Sequence, residues 1–243
     1  MKELTQEQIS QAHLIDKALV KKYKKLCLLL PTYKIIPTNT YHCMMVFLSQ
    51  LYRLGFNVSV LMLDQTNVVL ARNNLCKHFI ETHEKNKFDL TLWMDSDHDF
   101  KTSDFMTMLY HYDKCEQVDI LSARYVTRDN IAPRVCAYNK KNDGYMAIHP
   151  DNTGISEVDG VGFGFIMMSP KVMVDMHNEY GLRQFEFVHI TEKGPEIISE
   201  DLTWCDRAKK IGYKVFVDNE INVGHYGGTM TIDFLKYIKG YTK

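Results

Sequence analysis

The first half of the chain is a series of short apolar runs, separated by stretches in which apolar residues recur at helical spacing. The apolar runs, which predict buried strands, cover residues 25–30, 57–63, 88–94 and 118–122. The stretches with helical spacing cover residues 40–54, 67–84 and 102–112. Strands and helices in strict alternation are typical of βαβ units and of a mainly parallel sheet covered by helices. We therefore predict an α/β fold, with ligands bound beyond the carboxyl ends of the strands.

The rest of the chain is less regular, and no change of composition separates it from the first half. An amphipathic helix is predicted over residues 3–24, before the first strand, and Pro31 is expected to end that strand. Further downstream the pattern predicts a hairpin, three helices and a strand, over residues 134–148, 170–179, 200–211, 231–238 and 214–217. We therefore expect one domain over residues 1–243, in which a regular half (25–125) precedes a smaller mixed region (126–243).

Composition and charge argue against several classes of protein. The 29 Lys and Arg residues almost balance the 30 Asp and Glu residues, so no global field attracts nucleic acid, and we expect no nucleic-acid partner. None of the six cysteines forms a CxxC pair, which disfavours a zinc knuckle and favours free thiols in a reducing compartment. No run approaches the roughly 20 apolar residues that span a bilayer, and the polar N-terminus lacks a signal-peptide pattern. We expect a soluble, cytoplasmic protein without a transmembrane segment.

Three aspartates, Asp95, Asp97 and Asp99, lie within five residues directly after the third predicted strand. Like charges this close repel each other, and a divalent cation removes the conflict because hard cations prefer oxygen ligands. If the segment continues the strand, alternate residues point the same way, so the three carboxylates would face one site. The alternative is a solvated acidic turn before the next helix, and Asp99 itself is expected to be exposed. The position at the end of a strand favours the metal site.

Four segments in chain order resemble motifs of glycosyltransferases of the GT-A fold. They are VVLARNNL with its pair Arg72–Asn73, the strand with its aspartates (WMDSD), the acidic segment and helix of SEDLTWCDRAKKIGYKV, and INVGH. The resemblance covers about residues 25–226. It implies a Rossmann-like GT-A fold, with a nucleotide-binding half at 25–125 and an acceptor and catalytic half at 126–243. It also implies a nucleotide-diphosphate sugar as the donor and a glycan or glycoconjugate as the acceptor.

The resemblance assigns Asp95, Asp97 and His225 to a metal site. In this family the second aspartate of the motif binds the metal directly, which points to Asp97, while Asp95 contacts the ribose or reaches the metal through water. His225 would complete the site, since imidazole is a good ligand for manganese; a structural histidine is the alternative. The metal would be Mn²⁺ or Mg²⁺, which stabilises the charge on the departing nucleotide.

The resemblance places the donor-binding residues in the loops and strand ends that surround the metal. These residues are Thr32, Tyr33, Asp64, Arg72, Asp95, Ser96 and Gly162. The ring of Tyr33 is expected to stack on or flank the base, and Arg72 to contact a phosphate or to orient the aspartates. Gly162, in GVGFG, is expected to let the backbone approach the donor sugar, and a β-bulge explains it equally. Arg124 and Arg128 either neutralise the diphosphate or are ordinary loop charges.

Glu200 and Asp201 open a predicted helix after Ser199, which is a natural N-cap. Acidic residues are favoured in a first helical turn in any case, so only the chain order of the family makes Asp201 the candidate catalytic base. Glu200 is then expected to contact the acceptor or the helix terminus. A base that takes the proton of the acceptor hydroxyl, opposite the departing diphosphate, implies inversion at the anomeric carbon. Family frequency favours UDP as the nucleotide.

Two other functions are compatible with the sequence. A HAD-like phosphohydrolase also uses aspartates after a strand, but Asp99 stands where that family has Thr or Val, and no GDxxxD segment follows. A non-catalytic module that binds a carbohydrate or a nucleotide sugar would keep the fold without the chemistry. The set Asp95, Asp97, Asp201 and His225 argues against such a loss of activity. We therefore predict a metal-dependent glycosyltransferase.

Overall fold

The computed structural model describes residues 16–32, 35–65, 67–128, 132–141, 144–190 and 196–226. The helix predicted over 231–238 and the first part of the helix predicted over 3–24 lie outside these residues. In chain order the elements are α1 (16–22), β1 (Lys25–Thr32), α2 (Thr38–Leu54), β2 (Asn57–Asp64), α3 (Val68–Asn86), β3 (Leu90–Met94), β4 (His98–Asp99), α4 (Thr102–Lys114), β5 (Ile120–Arg124), β6 (Ala137–Lys141), β7 (Gly144–Ala147), β8 (Ile155–Val158), β9 (Gly160–Val161), β10 (Phe165–Met168), α5 (Pro170–Tyr180), β11 (Val188–Ile190), β12 (Glu196–Ile198), α6 (Glu200–Lys210), β13 (Val215–Asn222) and β14 (Gly224–His225).

A seven-stranded sheet forms the centre of the fold, in the order β2–β1–β3–β10–β5–β13–β8. Five of these strands (β1, β2, β3, β5 and β13) run in one direction, while β10 and β8 run antiparallel to their neighbours. The prediction of an α/β fold with a mainly parallel sheet flanked by helices is therefore confirmed. The position of β10 was not predicted: it enters between β3 and β5, which the helix α4 connects.

Both faces of the sheet are covered, which explains why its strands appear in the sequence as continuous apolar runs. On one face, Cys27 and Leu29 of β1 belong to a core cluster shared with α3, α5 and α6. On the other face, Leu26 and Leu28 belong to a second cluster shared with α1, α2 and α4. Among the described residues, no helix is both long enough and apolar enough to cross a membrane.

The first strand continues through Pro31 to Thr32, so the prediction that Pro31 ends it is wrong. Pro31 pairs with Leu63 of β2, whereas the pairing of β1 with β3 ends at Leu29 and Trp93. The missing amide hydrogen of Pro31 therefore falls where β1 has a single neighbour in the sheet, a position that tolerates proline. As a consequence, Thr32 is fixed at the carboxyl end of the strand, beside the site described below.

Part of the mixed region forms short antiparallel pairs outside the central sheet. The hairpin predicted over residues 134–148 is confirmed, because β6 and β7 pair antiparallel, and β9 pairs with β6. The last described strand, β14, pairs with β4, so that Gly224 lies opposite Asp99 and His225 lies opposite His98. This ribbon brings a distant part of the chain back to the aspartates that follow β3.

Candidate active site

The aspartates of residues 95–99 occupy a turn and a short strand rather than one extended strand. Asp95 follows β3, residues 96 and 97 form the turn, and Asp99 belongs to β4. Asp95 and Asp97 line a cavity of about 310 Å³. Asp99 is exposed and lines a different cavity, where the thiol of Cys43 donates to its carboxylate at 3.3 Å. The prediction that all three carboxylates point the same way is therefore wrong, because the turn breaks the alternation.

One of these aspartates converges with two histidines. Asp97 Oδ1 lies 3.2 Å from Nδ1 of His98, and Asp97 Oδ2 lies 3.6 Å from Nε2 of His225. One ligand atom from each residue lies within 4.8 Å of the others, so these three side chains form a possible metal-ligand group. Burial alone would raise the pKa of Asp97, but His225 and His98 beside it hold that pKa well below its usual range. Asp97 is therefore ionised at neutral pH.

His98 was not predicted as a site residue. Its side chain is fully buried, and among the described residues neither ring nitrogen has a hydrogen-bond partner. Its contact with Asp97 has the distance of an ion pair without the angles of a hydrogen bond. Burial lowers the pKa of His98, so the ring is neutral near pH 7 and keeps a lone pair. An unsatisfied buried nitrogen beside a carboxylate fits a cation better than it fits a packed core.

His225 presents Nε2 to the site because its other nitrogen is engaged. The distance from Nδ1 to the carbonyl oxygen of Val126 is 2.7 Å. A carbonyl oxygen only accepts, so Nδ1 carries a hydrogen, and Nε2 is the nitrogen that faces Asp97. A second hydrogen bond of this kind is typical of metal-binding histidines, since it fixes both the tautomer and the orientation of the ring.

The glycines of residues 160–164 make room for the side chains around this group. A Cβ atom at Gly162 would overlap the hydroxyl of Tyr125, and one at Gly164 would overlap the ring of His98. The hydroxyl of Tyr125 also accepts a hydrogen bond from the amide of Gly164, at 2.8 Å. These contacts explain the glycines without a ligand, and a contact between Gly162 and a donor sugar stays a prediction.

Arg72 of α3 is buried behind the cavity and holds three carboxylates. Its Nη1 donates to Glu200 at 2.9 Å and also to Asp201, and its Nη2 donates to both oxygens of Asp95, at 3.2 and 3.3 Å. Both terminal nitrogens are thus engaged by the protein itself. The hydrogen bonds to Asp95 are those that a residue orienting the aspartates would make, and a contact between Arg72 and a phosphate stays a prediction. The neighbouring Asn73 exchanges two hydrogen bonds with the backbone of residue 185.

Glu200 and Asp201 begin α6, as predicted, and the Ser199 side chain accepts a hydrogen bond from the amide of Leu202. Glu200 is buried against Arg72, and its predicted contact with the acceptor or the helix terminus stays a prediction. The Asp201 side chain is 20% exposed, and the amide of Phe163 donates to it at 3.3 Å.

The pKa of Asp201 is raised by its surroundings. Burial, together with repulsion from Glu200 and Asp95, raises the pKa of Asp201 to about 7, against the opposing effect of Arg72. The pKa of Arg72 is itself raised by the three carboxylates, so the guanidinium remains charged. The single guanidinium of Arg72 therefore balances the charge of three acidic groups. Asp201, with its raised pKa, can exchange a proton near neutral pH.

The other residues that were predicted to bind the donor are Thr32, Ser96, Asp64 and Tyr33. Thr32 and Ser96 line the same cavity as Asp95 and Asp97. Asp64 is exposed at the end of β2, where its backbone pairs with that of Thr32. The prediction for Tyr33 falls outside the described residues.

Arg124, the last residue of β5, and Arg128, which follows the strand, differ in burial and in their contacts. Arg124 is buried and donates to the side chain of Asn222 and to the carbonyl oxygens of Pro150 and Asn152, so it fixes loops of the mixed region. Arg128 lines the cavity, and its Nη1 lies 2.9 Å from Asp97 Oδ2.

No protein-family model and no curated protein sequence matches the chain. Among solved structures, A197 from STIV has a TM-score of 0.54 and 15% identity over 84% of this chain and 85% of that one. A glycosyltransferase involved in glycosylation of the major capsid of PBCV-1 has a TM-score of 0.39 and 9% identity (65% and 66% covered). The catalytic domain of Drosophila beta1,4galactosyltransferase 7, in complex with xylobiose, has a TM-score of 0.47 and 13% identity (85% and 69% covered). The first likeness shows a shared fold alone, and the other two are too weak to carry an argument.

Proposed function

We propose that the chain is a metal-dependent glycosyltransferase of the GT-A type, which transfers a sugar from a nucleotide-diphosphate sugar to a hydroxyl group of a glycan or glycoconjugate. The observation that carries this proposal is that Asp97 contributes to two features of the site at once. Its carboxylate belongs to a cation-binding group with His98 and His225, and it also lines the cavity at the carboxyl ends of the parallel strands. Ligands of open α/β sheets bind at such strand ends.

The side chains that would hold the cation are Asp97, His98 and His225. The cation would supply positive charge that stabilises the departing diphosphate. Two imidazoles and one carboxylate suit a first-row transition metal better than Mg²⁺, which prefers oxygen ligands, so we propose Mn²⁺. The position of His225 Nε2 beside Asp97 and the unsatisfied nitrogens of buried His98 support this assignment.

The donor would lie in the 310 Å³ cavity, between the end of β1 and the turn after β3. Thr32 and Ser96 offer hydroxyl groups there, and Asp95 is held at its edge by Arg72. A volume near 300 Å³ is at the lower end of the range for small-molecule sites, which fits part of a nucleotide sugar. UDP is the nucleotide we propose, with Tyr33 and Asp64 as further contacts.

Asp201 would act as the general base. A base works best when its pKa lies near the working pH, and the pKa of Asp201 is raised to about 7. Arg72 and the amide of Phe163 hold its carboxylate in one orientation. A base that removes the acceptor proton during a single displacement leads to inversion at the anomeric carbon. The alternative, a phosphohydrolase with Asp95 as its nucleophile, would release inorganic phosphate from phosphate esters.

The proposal is tested by incubating the protein with a panel of nucleotide sugars and MnCl₂ and measuring the release of free nucleoside diphosphate. We expect release from at least one donor, and loss of that release in Asp97→Asn. Asp99→Asn is the matched control, because it changes an exposed aspartate of the same segment outside the cation-binding group. Release of inorganic phosphate from phosphate esters, without turnover of any nucleotide sugar, would contradict the proposal.

A further inference from the structure

Arg128 forms an ion pair with the same oxygen that the cation-binding group uses. Its Nη1 lies 2.9 Å from Asp97 Oδ2, and His225 Nε2 lies 3.6 Å from that oxygen. The Asp97 side chain is 18% exposed, whereas that of Arg128 is 62% exposed. An exposed guanidinium and a bound cation would therefore compete for one carboxylate.

The two other arginines of this region differ from Arg128 in burial and bonding. Arg72 is buried and held by three carboxylates, and Arg124 is buried and bonded to three other residues. An exposed ion pair contributes little to stability, so Arg128 can leave Asp97 at low cost. A divalent cation bound to the same carboxylate repels the guanidinium, and this repulsion favours the release of Arg128 from Asp97.

The cavity offers Arg128 a second role. Its side chain lines the same cavity as Thr32, Asp95 and Ser96. A guanidinium presents several donors in a planar fork, which matches the oxygens of a phosphate group better than the single ammonium of lysine does. A diphosphate bound to the cation beside Asp97 would thus lie within reach of the displaced arginine.

We infer that Arg128 is a diphosphate-binding residue that the cation displaces from Asp97. It neutralises Asp97 until a cation binds to the Asp97–His98–His225 group, and it then pairs with the diphosphate of the donor. This inference rests on the proposed function. It means that cation and nucleotide bind cooperatively, because the ion pair that the cation breaks is replaced by one that the nucleotide makes.

The test uses Arg128→Met and Arg128→Lys, with Arg53→Met, which removes an exposed charge from the last turn of α2, as the control. Calorimetry measures the binding of Mn²⁺ alone, and then of UDP at saturating Mn²⁺. In Arg128→Met we expect Mn²⁺ to bind about two- to fivefold more tightly, since an exposed ion pair no longer competes. We expect UDP to bind about tenfold more weakly, since a charge-assisted contact to phosphate is lost. Arg128→Lys should fall between, and Arg53→Met should change neither.

Opposite changes in the two affinities distinguish this role from damage to the site, which would weaken both. Equal or weaker Mn²⁺ binding by Arg128→Met, with normal binding by the unmodified chain, would overturn the inference and leave the cation site of the proposed function intact. Unchanged UDP binding would overturn the diphosphate contact. If neither the unmodified chain nor Arg128→Met binds Mn²⁺, the cation site falls with the inference, and the donor panel then decides the reaction independently.

Discussion

The imidazole of His98 stacks on that of His225, with ring centroids 4.5 Å apart and planes 20° apart. Tyr125 packs edge-on against both rings. The stack joins β4 to β14, so two segments more than 120 positions apart meet in the possible metal-ligand group. Because His98 is buried by its neighbours, packing fixes the orientation of its ring.

The first prediction concerns the two histidines. We expect His225→Gln and His98→Gln each to weaken Mn²⁺ binding by about tenfold or more, because each removes one nitrogen ligand. His78→Gln, on the exposed surface of α3, is the control and should bind Mn²⁺ as the unmodified chain does. Titration of Mn²⁺ followed by electron paramagnetic resonance measures the affinity. Unchanged affinity in His98→Gln would show that His98 only packs against Gly164.

The second prediction concerns the pH dependence of turnover. Asp201 accepts a proton only when it is ionised, and burial raises its pKa to about 7, so kcat should rise between pH 6 and pH 8. Glu200→Gln removes a repelling neighbour and thereby lowers the pKa of Asp201, so the midpoint of the profile should move to lower pH. Glu157→Gln, which changes an exposed residue of β8, should leave the midpoint in place. A midpoint that is the same in Glu200→Gln would exclude Asp201 as the titrating group.

The third prediction concerns the buried guanidinium. Arg72→Met leaves Asp95, Glu200 and Asp201 without their shared cation, and we expect a loss of about 3–5 kcal/mol in the free energy of unfolding. Repulsion among the three carboxylates raises their pKa in this variant, so protonation relieves it, and the loss should shrink as the pH falls from 8 to 6. Urea unfolding at both pH values measures this. Arg53→Met, an exposed control, should change stability by less than about 0.5 kcal/mol.

The fourth prediction concerns the glycine beside Tyr125. A methyl group at Gly162 would overlap the Tyr125 hydroxyl, so Gly162→Ala should cost about 1–3 kcal/mol of stability. Tyr125→Phe removes that hydroxyl and leaves the amide of Gly164 without its acceptor. The two changes should therefore be coupled, and the double variant should lose at least about 0.5 kcal/mol less than the sum of the single losses. Additive losses in thermal unfolding would contradict the overlap.

Much of the regular half could be predicted from the sequence, because local patterns determine it. Apolar runs and helical spacing place β1, β2, β3 and β5, and α2 to α4, within a few residues of their observed bounds, whereas β4 was not predicted. Ser199 caps α6 through a local hydrogen bond, which a sequence motif can reveal. The insertion of β10 between β3 and β5 depends on tertiary packing, and neither strand carries a local signal for it.

The candidate site was predicted in part, and its omissions have one cause. Asp95 and Asp97 could be predicted because their charges lie two positions apart in the sequence. His225 could be predicted from the family resemblance. His98 was overlooked although it stands inside the acidic segment, since nothing local shows that β14 packs against it. The orientation of the aspartates by Arg72 was among the predictions, but its pairing with Glu200 and Asp201 was out of reach, because these two residues lie 128 and 129 positions away. A histidine between closely spaced aspartates is the signal that a sequence analysis can use.

The central claim is that a cation held by Asp97 and His225 carries the diphosphate of the donor, and diffraction tests it most directly. Crystals grown with MnCl₂ and UDP would be measured near the manganese absorption edge. We predict an anomalous peak roughly 2.0–2.3 Å from the carboxylate of Asp97 and from Nε2 of His225, with the diphosphate of UDP as a further ligand. UDP bound in the cavity without such a peak, or a peak at Asp99 instead, would contradict the account.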